Sequence, residues 1–152
     1  MRVFRIAKDQ YIRDLTGIGA KTVGGRWNAK GVAILYTSTS AALSILEVLA
    51  HLPASFFPDN MSIATIDIPD KFVGSFVEQS LPMGWDKIPP PIENHDFTMN
   101  WIHQQKYVGF KIPSSIIPKE QNLLLNPSHP NFKSVKIIDV EPFSFDPRLL
   151  TM

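Results

Sequence analysis

The pattern of apolar and polar positions predicts one unit around which the chain is organised, from Gly24 to Leu52. An apolar run over residues 32–36 is typical of a buried strand. Residues 38–40 are Ser, Thr and Ser, and they offer hydroxyls for the N-cap of a following helix. From Ala41 to Leu52 that helix is apolar almost all round, which is typical of a helix buried in a core. The pattern therefore predicts a buried strand, a polar cap and a buried helix in succession.

One charged side chain interrupts this helix. Glu47 is the only Asp, Glu, Lys or Arg within residues 31–58. An unpaired buried carboxylate costs several kcal/mol, so we expect Glu47 to be paired, hydrogen-bonded or protonated. The nearest candidates that precede it are Arg26 and Tyr36. The ordinary alternative is a structural ion pair with His51, one helical turn further on.

The remaining segments are shorter. Strand-like patterns occur at residues 3–7, 62–68, 108–112, 122–125 and 135–145, and a helical pattern occurs within 95–105. Four glycines in residues 16–25 predict a loop, and residues 72–80 fit either a strand or a loop. The proline-rich residues 81–92 predict an ordered crossing that buries Met83, Trp85 and Ile88. Short strands around two or three helices, without regular alternation, indicate an α+β domain with a largely antiparallel sheet.

Composition narrows the class of protein. The 152 residues are 44% hydrophobic and 19% charged, which fits one soluble globular domain. Fifteen basic and fourteen acidic residues give a net charge of +1, so no general attraction to nucleic acid or to an anionic membrane is expected. The chain has no cysteine, which excludes disulfides and thiolate zinc sites, and its four histidines lack metal-ligand spacing. The first residues lack the apolar segment of a signal peptide, which favours a cytoplasmic protein.

A few polar side chains suggest a binding pocket. The fork of Arg26 suits phosphate or carboxylate, and the glycine pair before it would let a ligand come close. The ordinary alternative is a solvated arginine on a turn that Trp27 anchors in the core. Tyr36 could equally be a core residue with its hydroxyl at the rim, and Ser114 or Ser115 could simply cap a turn. Together with a buried carboxylate, these groups fit a phosphorylated sugar or a nucleotide.

Several longer motifs make the sequence more specific. GGRWNAKG, LYTSTS, ILEVLAHL, KIPSS, NLLLNPSHPNF and FSFDPRL occur in this order. Together they resemble the RES-domain family, and the resemblance runs from VFRIA to DPRLL, nearly the whole chain. It implies a single RES domain over residues 1–152. It also implies a fold similar to the ADP-ribosyltransferases, with a split antiparallel β-sheet core and a few flanking helices around a cleft for NAD.

The resemblance also implies roles for particular residues. The family is named for an arginine, a glutamate and a serine, which fall on Arg26, Glu47 and Ser114, with Ser115 as the alternative serine. The family tyrosine falls on Tyr36. These four residues are then the expected catalytic set. The expected NAD-binding set is Arg26, Trp27, Asn28, Tyr36, Glu47 and Ser114.

The resemblance to the RES-domain family also implies an activity and a partner. Members of the family are typically toxins of type II toxin–antitoxin systems, and the resemblance implies that this chain cleaves the nicotinamide–ribose bond of NAD, by hydrolysis or phosphorolysis, and depletes NAD. The alternatives are transfer of ADP-ribose to a specific protein and, third, a non-catalytic partner-binding module. NAD is then a substrate and no metal is required. The implied partner is a helix-turn-helix antitoxin of the Xre type that covers the active site of a toxin homodimer, with no direct contact to nucleic acid or membrane.

Overall fold

A seven-stranded sheet with three α-helices forms the fold in the computed structural model, which describes residues 1–53, 59–76 and 80–150. The strands are β1 (Arg2–Lys8), β2 (Leu35–Ser38), β3 (Met61–Asp67), β4 (Val73–Ser75), β5 (Gly109–Pro113), β6 (Gln121–Leu125) and β7 (Lys136–Phe143). The helices are α1 (Ile18–Val23), α2 (Ala41–His51) and α3 (Glu93–Gln104). Within the described residues, no helix is long and apolar enough to cross a membrane.

The sheet is nearly divided into two parts at its centre. Its strand order is β4-β5-β6-β2-β1-β3-β7, and every neighbouring pair is antiparallel except β4 and β5. β1 pairs with β3 along its whole length but with β2 only at Phe4 and Ser38. This narrow junction confirms the predicted α+β class and the split antiparallel core. Beyond the junction β1 and β2 diverge, and the space between them becomes a cleft.

Two apolar clusters form the core, and the first of them joins the two parts of the sheet. One contains side chains from both parts, including Val3 and Ile66 on one side and Leu123 on the other. The second is rich in aromatic residues and surrounds Trp27 and Trp101. Its rings lie close together: Trp27 stacks on Trp85 with centroids 5.8 Å apart, and Phe76 stacks on Phe110 at 3.9 Å. Such pairs add about 0.5–1.5 kcal/mol each beyond burial.

The central helix α2 begins as predicted but is less buried than predicted. Ser40 is its N-cap, and the Ser40 hydroxyl accepts a hydrogen bond from the Leu43 amide at 3.1 Å. However, only Leu43 and Ser44 are buried, whereas Leu46 is exposed. The prediction of an all-round buried helix was wrong because, within the described residues, α2 packs mainly against β1 and β2 and so buries one side. Its opposite side carries apolar residues to the surface.

The glycine-rich segment 16–25 forms a short helix, α1, instead of the predicted loop. Two of its glycines lie at the ends of that helix. Gly17 is the N-cap with φ = 70°, and Gly24 follows the last turn with φ = 78°. These left-handed conformations suit glycine and rarely suit other residues. These two glycines therefore mark the ends of a helix, and the number of glycines in the segment does not indicate that helix.

The proline-rich loop 81–92 is ordered, as predicted, but its apolar side chains divide. Trp85 packs on Trp27, whereas Met83 and Ile88 are 98% and 90% exposed, so the predicted burial of those two was wrong. The loop contacts the aromatic cluster with one side only. Of the ambiguous segment 72–80, β4 forms a strand and residues 77–79 lie outside the described residues. The other predicted strands and the helix at 95–105 are present with shifted ends, and β2 begins three residues after the predicted start.

Candidate active site

The cleft between the diverging strands β1 and β2 is a large cavity in the described part of the chain, with a volume of about 790 Å³. Its walls come from β1, β2, the α1 segment, α2, the end of β5 with the Ser115 that follows it, and Asn122 of β6. Pockets for small ligands commonly have 300–1,000 Å³ and apolar walls with a few polar groups. Among the predicted site residues, Arg26, Trp27, Tyr36 and Glu47 line this cavity.

Glu47 projects from α2 towards the strand ends. Its Oε1 accepts a hydrogen bond from the Ser114 hydroxyl at 2.8 Å and another from the side-chain amide of Asn122. His51 does not pair with the carboxylate, since its Nδ1 lies 2.6 Å from the backbone oxygen of Glu47. Within the described residues, Arg26 forms no ion pair with it either. Hydrogen bonds from neutral donors therefore meet the expectation that Glu47 must have partners.

The two neighbouring serines have different surroundings. Ser114 is fully buried directly after β5, and its hydroxyl donates to Glu47 while it accepts from the amides of Ile116 and Ile117 at 3.0 and 3.1 Å. Ser115 lines the cavity. Thus Ser114 holds the carboxylate, whereas Ser115 contributes to the wall beside it.

Arg26 is fixed by the proline-rich loop rather than by an acidic side chain. Its Nη1 donates to the backbone oxygens of Trp85 and Lys87, each at 2.8 Å. Within the described residues, Nε and Nη2 form no hydrogen bond. The guanidinium thus reaches the cavity wall with part of its donor capacity unused.

Tyr36 and Asn28 form a small network behind that wall. The Tyr36 hydroxyl donates to Asn28 Oδ1 at 2.7 Å and accepts from the Trp27 amide at 3.1 Å. Burial raises the pKa of the Tyr36 hydroxyl above its usual value, so the group remains a neutral donor at pH 7. Asn28 is almost fully buried and lies outside the cavity lining, where its amide donates to the carbonyls of Ala20 and Val32. Of the predicted NAD-binding residues, Asn28 therefore supports the wall rather than facing the cavity.

The sequence model of the RES domain family matches residues 2–146. The chain belongs to the RES domain family. It is 38% identical to a Prs ADP-ribosylating toxin of Sphingobium sp. (strain YBL2), with 98% of this chain and 94% of that protein covered. It is 37% identical to Toxin Res of Yersinia enterocolitica, with 98% and 99% covered. These relatives identify the chain as a toxin of this family, which confirms the resemblance found in the sequence.

A solved structure supports the fold. The crystal structure of the M. tuberculosis MbcT–MbcA toxin–antitoxin complex contains a chain that aligns with a TM-score of 0.72, covering 98% of this chain and 86% of that one. The two sequences are only 18% identical, so the likeness concerns the fold. It agrees with the ADP-ribosyltransferase-like core expected of a RES domain.

Three polar residues of this RES domain were missed in the sequence. Asn122 contacts Glu47, and Ser38 in turn donates to Asn122 Oδ1 at 2.7 Å. These two residues are 84 positions apart and meet only because β2 and β6 pair in register. The third is Arg5 of β1, which lines the cavity and donates to the backbone oxygens of residues 11, 12 and 14, and burial lowers its pKa.

Proposed function

We propose that this RES domain binds NAD in the cleft and cleaves its nicotinamide–ribose bond, with Glu47 as the central catalytic group. The observation that supports this most is the environment of Glu47: a carboxylate on the wall of a 790 Å³ cavity, held by two neutral donors. Neutral donors fix a carboxylate without placing a compensating positive charge beside it. Such a group is suited to a positive charge that develops in a ligand.

The chemistry of NAD matches this arrangement. Nicotinamide in NAD is already a cationic leaving group, so no strong general acid is required. The barrier lies in the positive charge that builds up on the anomeric carbon and the ring oxygen of the ribose, as in other glycosidic cleavages. A preorganised carboxylate in a partly desolvated site stabilises that charge as it develops. Glu47 would supply this stabilisation, and its Oε2 would also be able to accept a hydrogen bond from a ribose hydroxyl.

The other wall residues take supporting roles in the proposal. Arg26 would bind the pyrophosphate through the donors that the loop leaves unused, since guanidinium forms strong charge-assisted bonds to phosphate. Trp27 and Tyr36 would pack beside the nicotinamide ribose. Ser114 would orient Glu47, and Asn28 would hold Tyr36.

The acceptor of the ADP-ribose moiety distinguishes two candidate functions. Water or phosphate as acceptor makes the protein an NAD glycohydrolase or phosphorylase, which depletes NAD and arrests growth. A protein acceptor makes it an ADP-ribosyltransferase. One structural feature favours this second candidate: Tyr11, Ile18 and Val23 line the cleft, and each is more than half exposed. An exposed apolar rim is typical of a protein-docking surface, and the Sphingobium relative is named as an ADP-ribosylating toxin.

The partner in this proposal is a helix-turn-helix antitoxin that covers the cleft. MbcT, the structural neighbour, was crystallised with its antitoxin MbcA. A free NAD-degrading enzyme would harm its own cell, so an inhibitor that occupies the cleft is a functional requirement. We propose a hetero-oligomer built on two toxin chains, because two-fold symmetry is the commonest closed arrangement.

The test is incubation of the purified protein with NAD labelled in the adenylate portion, with and without phosphate and cell lysate. Released nicotinamide measures cleavage, and label on a protein band measures transfer. Glu47→Gln keeps the size of the side chain, and we expect it to lower turnover by roughly 10²-fold or more, the typical effect of losing one transition-state electrostatic group. Glu141→Gln, at an exposed position of β7, is the matched control. A folded Glu47→Gln variant with near-normal turnover would show that Glu47 is not catalytic.

A further inference from the structure

The two oxygens of the Glu47 carboxylate have different surroundings. Oε1 accepts hydrogen bonds from Ser114 and from Asn122, whereas Oε2 accepts none from the described residues. An oxygen with two partners has little capacity left for a ligand, while one without a partner can accept a bond from a ligand hydroxyl. The carboxylate thus has one oxygen that is held and one that is available.

On the premise that this site cleaves NAD, we propose that Asn122, oriented by Ser38, is a positioning residue that aims Glu47 Oε2 into the cleft. Asn122 lies on β6, directly opposite Ser38 of β2, and its side chain reaches Glu47 on the overlying helix α2. Ser38 is buried, with an exposed fraction of 3%. A chain of hydrogen bonds therefore runs from β2 through β6 to the carboxylate on α2.

The Glu47 carboxylate, which can only accept, fixes which end of the Asn122 amide faces it, and the Ser38 hydroxyl bonds to the other end. Ser38 Oγ donates to Asn122 Oδ1 at 2.7 Å, so the amide nitrogen points to Glu47 Oε1. In the opposite orientation the amide oxygen would face the carboxylate oxygen, and two acceptors would be brought into contact without a proton between them. The carboxylate thus selects the orientation of the amide, and the hydrogen bond from Ser38 holds the amide oxygen in place.

Two donors restrain Glu47 where one would not. The terminal torsion of a glutamate side chain has a broad, roughly two-fold energy profile, so a single hydrogen bond leaves the carboxylate plane free to rotate. Ser114 lies after β5 and Asn122 lies on β6, so the two donors approach Oε1 from different elements. Together they fix the direction in which Oε2 points. Catalysis depends on such restraint, since small misplacements of a reacting group are costly.

The test is the effect of Asn122→Ala and Asn122→Asp on NAD cleavage. We expect kcat to fall by about 10- to 100-fold, the range expected for a misplaced catalytic group, with little change in KM. Ser38→Ala should have a smaller effect of the same kind. Asn126→Ala is the control, because Asn126 follows the other end of β6, is more buried than Asn122, and accepts a hydrogen bond from the Ser128 amide, away from Glu47. It should lower stability but keep the kcat of the folded protein.

A double-mutant cycle with Glu47→Gln separates positioning from structural support. In the Glu47→Gln background, Asn122→Ala should change kcat little, because no carboxylate remains to be aimed. A purely structural role would lower kcat by the same factor in both backgrounds, and that result would overturn the inference. The side-chain amide signal of Asn122 in the ¹⁵N NMR spectrum should also shift in Glu47→Gln but not in Glu141→Gln. No shift would overturn the contact itself.

The measurements distinguish this inference from the proposed function. If the wild-type protein releases nicotinamide and Glu47→Gln does not, while folded Asn122→Ala retains normal kcat, the positioning role alone is wrong. If the wild-type protein releases no nicotinamide from NAD, the proposed function is wrong and the role of Asn122 falls with it. A loss of kcat in Asn122→Ala that disappears in the Glu47→Gln background supports both.

Discussion

Replacing Gly25 by alanine tests whether the glycine pair before Arg26 serves the Tyr36 network. Gly24 has a positive φ of 78°, but Gly25 has no such conformational requirement. A Cβ atom on Gly25 would lie 2.7 Å from the Tyr36 hydroxyl oxygen and 2.9 Å from Asn28 Oδ1. Both distances are below the closest approach that real Cβ atoms make. Either the tyrosine or the turn must therefore move.

The stability lost in Gly25→Ala follows from the hydrogen bonds that the Tyr36 hydroxyl would lose. It donates to Asn28 and accepts from the Trp27 amide, and each such bond contributes about 0.5–1.5 kcal/mol net. The alanine also stabilises by about 0.4–1 kcal/mol, because it restricts the unfolded chain. We expect Gly25→Ala to lower the free energy of unfolding by about 1–2 kcal/mol, measured by urea denaturation.

Gly19 provides the matched control for this measurement. It lies inside α1, and a Cβ added there would meet no atom within 4 Å. Gly19→Ala should therefore raise stability by roughly 0.5–1 kcal/mol, the helix-propensity difference between the two residues. Equal effects of the two alanine substitutions would contradict the steric explanation.

A second background makes the test specific to the hydroxyl. Tyr36→Phe removes the oxygen that the new Cβ would touch, although Asn28 Oδ1 and the ring carbon at 3.2 Å remain close. The loss in free energy of unfolding caused by Gly25→Ala should then be at least about 1 kcal/mol smaller in the Tyr36→Phe background than in the wild type. If the cost is the same in both backgrounds, the Tyr36 hydroxyl is not what requires glycine at this position.

Three further predictions concern binding, stability and the partner. Arg26→Lys keeps the charge but loses the guanidinium fork, which bonds to the loop and is proposed to bind pyrophosphate, so the KM for NAD should rise. Arg13→Lys, at an exposed position, is the control and should leave KM unchanged. Equal kinetics in the two variants would place Arg26 outside the site. Ser40→Ala removes the N-cap of α2 and the hydrogen bond from Ser40 to Glu120 at 2.6 Å. Urea denaturation should therefore show that the free energy of unfolding falls by about 1 kcal/mol or more. An unchanged midpoint would contradict the capping role of Ser40. The proposed helix-turn-helix antitoxin, which we expect to be encoded beside this chain, should abolish NAD cleavage in competition with NAD. A tight complex with undiminished turnover would refute the proposed covering of the cleft.

Much of the fold could be predicted from the sequence because its signals are local. The alternation in β3 and the helical spacing in α3 depend on neighbouring residues, and both elements are present. Burial was harder to predict, since an apolar side chain indicates a core position only when another element covers it. Met83 and Ile88 are apolar and exposed for that reason. Similarly, α1 was missed because its glycines end a helix instead of preventing one.

The polar residues of the candidate site likewise include some that the sequence indicates and others that it does not. Glu47 was found because a lone carboxylate in an apolar helix is unusual, and the family motifs then indicated Arg26, Tyr36 and Ser114. Asn122 carried no such signal, because asparagine is common in turns and strand ends. Its contact with Glu47 depends on the register between β2 and β6, which joins positions far apart in the chain. A residue such as Asn122, which is proposed to position Glu47, is thus harder to identify from one sequence than the carboxylate itself.

The separation of Arg26 from Glu47 has a consequence for the proposed reaction. NAD carries negative charge on its pyrophosphate and develops positive charge on its ribose, so the site needs a cation and an anion at different points. If the two side chains paired, each would largely cancel the field of the other at the distances where the ligand binds. The described structure avoids this, because backbone oxygens of the proline-rich loop hold Arg26 and neutral donors hold Glu47. Each charge is fixed in place by groups that do not neutralise it, and both would remain available to different parts of one NAD molecule.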